Sequence, residues 1–80
     1  MDSNTLLMIS LARKASTEGT GRALRLERRL GLREVAVALE VSAPSLSRWE
    51  TGKRSPKSWR AVAYGHLLAE WMAAAEAEHG

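Results

Sequence analysis

The side chains best suited to binding chemistry are hydroxyl and basic groups concentrated in the middle of the chain. Three serines lie within the six residues before Arg48, and four more basic residues follow within twelve: Lys53, Arg54, Lys57 and Arg60. Residues 22–60 contain ten Lys and Arg against four Asp and Glu, a balance of +6, whereas residues 61–80 contain three Glu and no Lys or Arg. Such side chains hold phosphates, and arginine also reads guanine, so this concentration of positive charge fits a nucleic-acid partner; from charge alone, simple solubility is the alternative.

Other kinds of chemistry find little support in the sequence. The 80 residues include no Cys and two distant His, His66 and His79, so neither a disulfide framework nor a metal site is expected. No nucleophile–base set, paired carboxylates or phosphate-binding glycine loop is evident, so we expect no enzyme, no cofactor and no small-molecule substrate. No stretch is long enough to span a membrane, and the expected location is cytoplasmic.

The serine hydroxyls and the Arg48 guanidinium in the middle of the chain must be positioned by one short helix. Ser42 is a suitable N-cap, Pro44 is tolerated in a first helical turn, and Gly52 is typical of the left-handed position just past a helix. Between these signals, Leu46 and Trp49 fall on one side of the helix. The opposite side is small, polar and basic. The pattern predicts a helix of about two turns whose outer face fits a DNA major groove.

The same stretch resembles the recognition-helix signature of the lambda-repressor-like (Cro/XRE) helix-turn-helix family, through Val41-Ser42-x-x-x-Leu46-Ser47-x-Trp49-Glu50-x-Gly52 and a proline four residues later. The resemblance covers roughly residues 22–68. It implies an all-α fold, a compact bundle of about five helices with a helix-turn-helix, and a recognition helix over about residues 42–51. The family places glycine where Glu40 stands, because the turn there is left-handed.

The resemblance also implies roles for individual residues in binding duplex DNA. The base-contacting side chains are expected to be Ala43, Pro44, Ser47 and Arg48. The phosphate-contacting residues are expected to be Arg33, Ser45, Lys53, Arg54 and Lys57. Arg25 and Glu50 occupy the positions of a structural salt bridge between the first and third helices of the family. Arg48 is the main candidate for guanine recognition, and the alternative is a phosphate contact by the same side chain.

The predicted helices divide the chain into two parts. A first helix, about residues 4–16, carries apolar side chains nearly all round and therefore packs either on its own domain or on a partner. Residues 17–21 read as a linker. We therefore expect an N-terminal helical arm and linker over residues 1–20, and a DNA-binding domain with a long C-terminal helix over residues 21–80. Besides the recognition helix, this domain is predicted to contain helices at about 21–29 and 32–39. A last helix is predicted to begin with Ser55 as N-cap and Pro56 as first residue and to run to about residue 78.

The last predicted helix carries a second apolar set at helical spacing: Tyr64, Leu67, Leu68, Trp71 and Met72. This set is either a dimer seam or the surface that receives the N-terminal arm. The resemblance implies a homodimer on a palindromic site. Together these features predict a sequence-specific transcriptional regulator that binds double-stranded DNA, a small Cro- or repressor-like protein of phage or bacterial type. The alternative is a protein-interaction module, such as an antitoxin or adaptor, that uses its apolar terminal helices and binds DNA only secondarily.

Overall fold

The computed structural model describes residues 1–79 and arranges them in five α-helices without a β-strand in that range. The helices are α1 (Ser3–Glu18), α2 (Thr20–Glu27), α3 (Leu32–Ala38), α4 (Ala43–Glu50) and α5 (Ser58–His79). The prediction of a small all-α bundle containing a helix-turn-helix is confirmed. The turn unit is formed by α3 and α4, with the short segment 39–42 between them.

Local signals define the bounds of α1. The Asp2 carboxylate accepts a hydrogen bond from the Thr5 N–H at 2.7 Å, and this contact lowers the pKa of Asp2. The helix continues to Glu18 and ends at Gly19, whose φ of 76° is easily reached only without a side chain. One residue therefore separates α1 from α2, where the sequence predicts a linker over residues 17–21. The functional division of the chain at residue 20 stays a prediction.

The helix-turn-helix unit follows the predicted capping pattern. The Ser42 hydroxyl accepts from the Ser45 N–H at 3.1 Å, and Pro44 lies in the first turn of α4. Gly52 has a φ of 74°, as expected for a residue just past a helix end. The left-handed conformation predicted at Glu40 is also present, with a φ of 57°. The turn therefore has the expected bend although it lacks the expected glycine.

The start of α5 differs from the prediction. Ser55 and Pro56 were expected to cap and open this helix, but its first residue is Ser58. Pro56 is fully buried instead, and Ser58 has a left-handed φ of 54°. The first helical hydrogen bond consequently runs from the Ala61 N–H to the Lys57 carbonyl. Burial of Pro56 fixes the chain ahead of the helix, an effect that the local sequence does not reveal.

The core forms where α1 crosses α5, the most extensive helix pair in the protein. Its buried residues come from α1 and α5 and from α3 and α4: Ile9, Ala12, Ala15, Val35, Ala36, Leu39, Leu46, Trp49, Ala61, Tyr64, Leu68 and Trp71. At the crossing, Gly65 faces the backbone of Met8 so closely that a Cβ on Gly65 would lie 2.1 Å from the Met8 carbonyl oxygen. The N-terminal helix is thus part of the same core as the helix-turn-helix.

This packing bears on the candidate dimer seam of α5. Tyr64, Leu68 and Trp71 are buried inside the chain itself, so they are not available to a partner in this fold. Leu67 and Met72 are half-buried, but five residues of helix place them about 140° apart, on opposite sides of the buried stripe. The alternative arrangement, in which this apolar set receives the N-terminal helix, is the one that the structure contains.

Replacing Glu40 with glycine is expected to raise the free energy of unfolding by about 0.5–1 kcal/mol. A left-handed residue with a Cβ costs about 1–2 kcal/mol, and the greater flexibility of glycine in the unfolded chain offsets part of the gain. The Glu40 side chain is exposed, and the Arg60 Nε–H donates to the Glu40 carbonyl, which glycine retains. Urea denaturation measures the change. Glu70→Gly, at an exposed helical position, is the control and should lower the free energy of unfolding. If Glu40→Gly also lowered it by the same amount, the left-handed conformation of Glu40 would not be a source of strain.

Candidate nucleic-acid interface

The outward side of α4 is the candidate reading surface. Leu46, Trp49 and Glu50 are buried and fix the orientation of the helix. Of the four predicted base-contacting residues, Pro44 and Arg48 are exposed and Ser47 is half-buried, whereas Ala43 is half-buried and packs against the core. The surface they form is narrow, with one guanidinium and one hydroxyl as its side-chain hydrogen-bond donors. Such a surface can make few direct contacts with base edges.

Arg48 combines a fixed backbone with a free side chain. Its carbonyl accepts hydrogen bonds from the Lys53 N–H at 2.9 Å and the Arg54 N–H at 3.2 Å, so the loop after α4 is tied to this residue. Its guanidinium is exposed and forms no ion pair or hydrogen bond with any residue in the range 1–79. All five N–H donors are therefore available for a bidentate contact with an external acceptor.

The predicted phosphate-contacting residues surround this helix. Four of them are exposed cations without an ion pair within residues 1–79: Arg33, Lys53, Arg54 and Lys57. The fifth, Ser45, is half-buried; its oxygen accepts from the Ser42 hydroxyl at 2.9 Å, which leaves its own hydrogen free for another acceptor. Arg33 stands in the first turn of α3, whose unpaired N–H groups favour an anion.

An open groove of about 540 Å³ runs beside the start of α4. The turn between α3 and α4 forms one wall, and the segment leading into α5 forms the other. Arg54, Lys57 and Arg60 provide its positive charge, and Glu40 is the acidic residue that lines it. Arg60 also stacks over the Trp59 ring, with its guanidinium carbon 4.7 Å from the ring centroid. The groove is thus polar and mainly positive, a suitable surface for a phosphate backbone.

A buried ion pair supports α4 from behind. Arg25 of α2 donates from Nε to Glu50 Oε2 at 2.7 Å and from Nη2 to Glu50 Oε1 at 2.9 Å. The remaining Nη1 donates to the Leu30 carbonyl at 2.9 Å. The hydrogen bonds that Arg25 donates to the Glu50 carboxylate raise the pKa of Arg25, and burial raises the pKa of the adjacent Tyr64. This pair connects α2 to the recognition helix and lies away from the binding surface.

The N-terminal helix provides two contacts that the sequence did not suggest. The buried Ser16 hydroxyl donates to the Trp49 carbonyl at 2.5 Å and lies 3.3 Å from the Arg54 carbonyl oxygen. Arg13 donates from Nε to the Pro56 carbonyl at 3.3 Å. More than 30 residues separate these partners in the chain, and neither residue belongs to the recognisable motif. Only the tertiary structure shows that α1 reaches the loop beyond α4.

The part of the chain that the structure describes contains neither a candidate metal site nor a candidate membrane-spanning helix. Within residues 1–79, no group of three His, Cys, Asp or Glu side chains is arranged to hold a metal ion. Over the same range, no helix has the length and apolar character needed to cross a bilayer.

A short, outward-facing basic helix, held behind by α3 and flanked by unpaired cations, defines a helix-turn-helix DNA-binding unit. The comparison with known families gives the same result: a helix-turn-helix domain model matches residues 22–69, which is more than half of the chain. The protein belongs to this helix-turn-helix domain family, consistent with the Cro/XRE resemblance of its recognition helix. No curated protein and no solved structure matches the chain. The matched segment begins after α1, so the match does not include the N-terminal helix.

Proposed function

We propose that the protein is a sequence-specific transcriptional regulator of the small Cro- or repressor-like type, which places α4 in the major groove of duplex DNA. The observation that carries the proposal is the exposed and unpaired guanidinium of Arg48 on the outward side of α4. Lys53 and Arg54 follow directly and face solvent without ion pairs in the described chain. Cations in this arrangement supply affinity through phosphates, and Arg48 supplies base discrimination.

The narrow reading surface makes a single domain weakly selective. One guanidinium and one hydroxyl distinguish only a few base pairs, so the proposal includes a homodimer that reads two half-sites of a palindrome. Sequence-dependent DNA shape then adds specificity at base pairs that the protein does not touch. The apolar set of α5 supplies no continuous seam for this dimer, because Tyr64, Leu68 and Trp71 are buried within the chain itself.

Arg48→Ala is expected to weaken binding to duplex from upstream of the protein's own gene by about 5- to 150-fold, the equivalent of losing about 1–3 kcal/mol of base discrimination. Binding to a scrambled duplex of equal length should change much less. Fluorescence anisotropy at about 50 and 200 mM salt separates the two effects, because phosphate-based affinity falls steeply with salt. Arg22→Ala, at an exposed arginine of α2 outside the proposed surface, is the matched control.

Arg48→Lys distinguishes base reading from a phosphate contact. Lysine keeps the positive charge but lacks the planar fork that pairs with guanine O6 and N7. If Arg48 reads a base, the lysine variant should therefore lose its preference for the upstream duplex over the scrambled duplex nearly as fully as the alanine variant. If the lysine variant bound both duplexes like the wild-type chain, Arg48 would be a phosphate contact and the assignment would be overturned.

A second function is favoured by one observation, the exposed apolar side of α1. Leu6 and Leu7 are 54% and 61% exposed, which suits a protein-interaction module such as an antitoxin or adaptor. In that case a protein should copurify with the chain in defined stoichiometry. DNA binding that is unaffected by Arg48→Ala would also favour this function over base-specific regulation.

A further inference from the structure

The contacts of α1 converge on one segment, residues 51–57, which we call the basic loop because it carries Lys53, Arg54 and Lys57. Ser16 is only 3% exposed, and its hydroxyl donates to the last turn of α4 at the Trp49 carbonyl, beside the Arg54 carbonyl. Arg13, one turn earlier in α1, donates to the Pro56 carbonyl. Two side chains of α1 therefore contact the last turn of α4 and the second half of the basic loop.

Apart from the burial of Pro56, the restraints on the basic loop differ between its two halves. Its first half is held by the N–H groups of Gly52, Lys53 and Arg54, which donate to carbonyls of α4. Within the described chain, Ser55 and Pro56 form no backbone–backbone hydrogen bond, and left-handed residues stand at Gly52 and at Ser58 just beyond the loop. In residues 1–79, the side-chain donors that lie within 3.3 Å of the Arg54 and Pro56 carbonyl oxygens come from α1 alone.

We infer that Ser16, assisted by Arg13, is a positioning residue for DNA binding: α1 holds the basic loop in the shape in which its cations meet the phosphates. This inference rests on the proposed function. A loop that is already ordered loses less conformational entropy on binding, and fixed ammonium and guanidinium groups can contact several phosphates at once. The family-matched segment starts at residue 22, so both supporting side chains lie outside it.

Ser16→Ala tests the inference without changing any charge, and Ser10→Ala, at an exposed serine of the same helix, is the matched control. Anisotropy titrations with a scrambled duplex at four salt concentrations give the affinity and its salt slope. We expect roughly tenfold weaker binding at low salt for Ser16→Ala, with a slope smaller by about one to two, since each lost phosphate contact reduces it by about 0.9. Ser10→Ala should bind like the wild-type chain.

Circular dichroism must show that both variants are fully folded at the temperature of the titrations. A lower Tm for Ser16→Ala together with an unchanged salt slope would overturn the inference, because a serine that only stabilises the core does not alter phosphate contacts. Amide hydrogen exchange of Lys53 and Arg54 in the free protein is a second, independent test. We expect exchange to be at least tenfold faster in Ser16→Ala than in the wild-type chain, and unchanged in Ser10→Ala. Unchanged exchange in Ser16→Ala would likewise overturn the inference. A wild-type chain that binds no duplex would overturn the proposed function and the inference together.

Discussion

Gly65→Ala is expected to lower the free energy of unfolding by about 3 kcal/mol, at the upper end of the effects of overpacking a core. A methyl group at this position would lie 2.1 Å from the Met8 carbonyl oxygen, 2.7 Å from the Met8 carbonyl carbon and 2.9 Å from the Met8 Cα. All three atoms belong to the backbone of α1, so no change of rotamer relieves the contact. The two helices must separate or tilt along their whole interface.

The intrinsic preference of alanine for helices does not compensate for this clash. Gly→Ala within a helix gains about 1 kcal/mol, well below the expected loss. For a domain of this size, about 3 kcal/mol corresponds to a fall in Tm of roughly 12–24 °C. Thermal unfolding followed by circular dichroism measures this fall.

Gly31→Ala is the matched control for the same substitution. Its added Cβ would lie 3.1 Å from the Glu34 Oε1 atom, the end of an exposed side chain, and a shift of this atom strains at most its hydrogen bond from the Gly31 N–H. We therefore expect the control to lose less than about 1 kcal/mol. If Gly65→Ala melted within a few degrees of the control, the close crossing of α1 and α5 would be wrong.

The sequence predicts the recognition helix well because its signals are local. The capping and helix-ending effects act within a few residues of Ser42, Pro44 and Gly52. The observed bounds of α4 agree with these signals. The left-handed Glu40 was predictable only through the family resemblance, because the family places glycine at this position of the turn. The outward placement of Arg48 follows from the same helical periodicity that buries Leu46 and Trp49.

Features that depend on distant partners were not predictable in the same way. Periodicity showed that Tyr64, Leu68 and Trp71 form an apolar stripe, but it does not show whether a second chain or α1 covers the stripe. The position of Pro56 suggested the start of a helix, yet its burial and the contact with Arg13 place that start later. Ser16 carries no sequence signal at all, because a serine becomes a loop support only when the loop is folded against it.

Glu50→Ala is expected to lower the free energy of unfolding by about 3–5 kcal/mol, the largest effect of any single substitution proposed for this protein. Arg25 and Glu50 are 8% and 6% exposed, and two hydrogen bonds join them. Removal of the carboxylate leaves a buried guanidinium with the Leu30 carbonyl as its remaining partner. The desolvation of this charge is then no longer balanced by an opposite charge.

This loss is large relative to the whole stability of the domain. Eighty residues correspond to about 4–12 kcal/mol in total, so Glu50→Ala should be extensively unfolded at temperatures where the wild-type chain is folded. Urea and thermal denaturation measure the difference. Glu78→Ala is the matched control, because it removes the carboxylate partner of Arg28 at an exposed position, where an ion pair contributes little.

A double variant separates the buried charge from the ion pair itself. Arg25→Met with Glu50→Leu removes both charges and fills the site with apolar groups of similar size, so it should be more stable than Glu50→Ala alone. The recovery identifies the unpaired Arg25 charge as the source of the loss. If Glu50→Ala kept the wild-type Tm, or if the double variant were the less stable of the two, the salt bridge between α2 and α4 would not carry the stability that its burial implies.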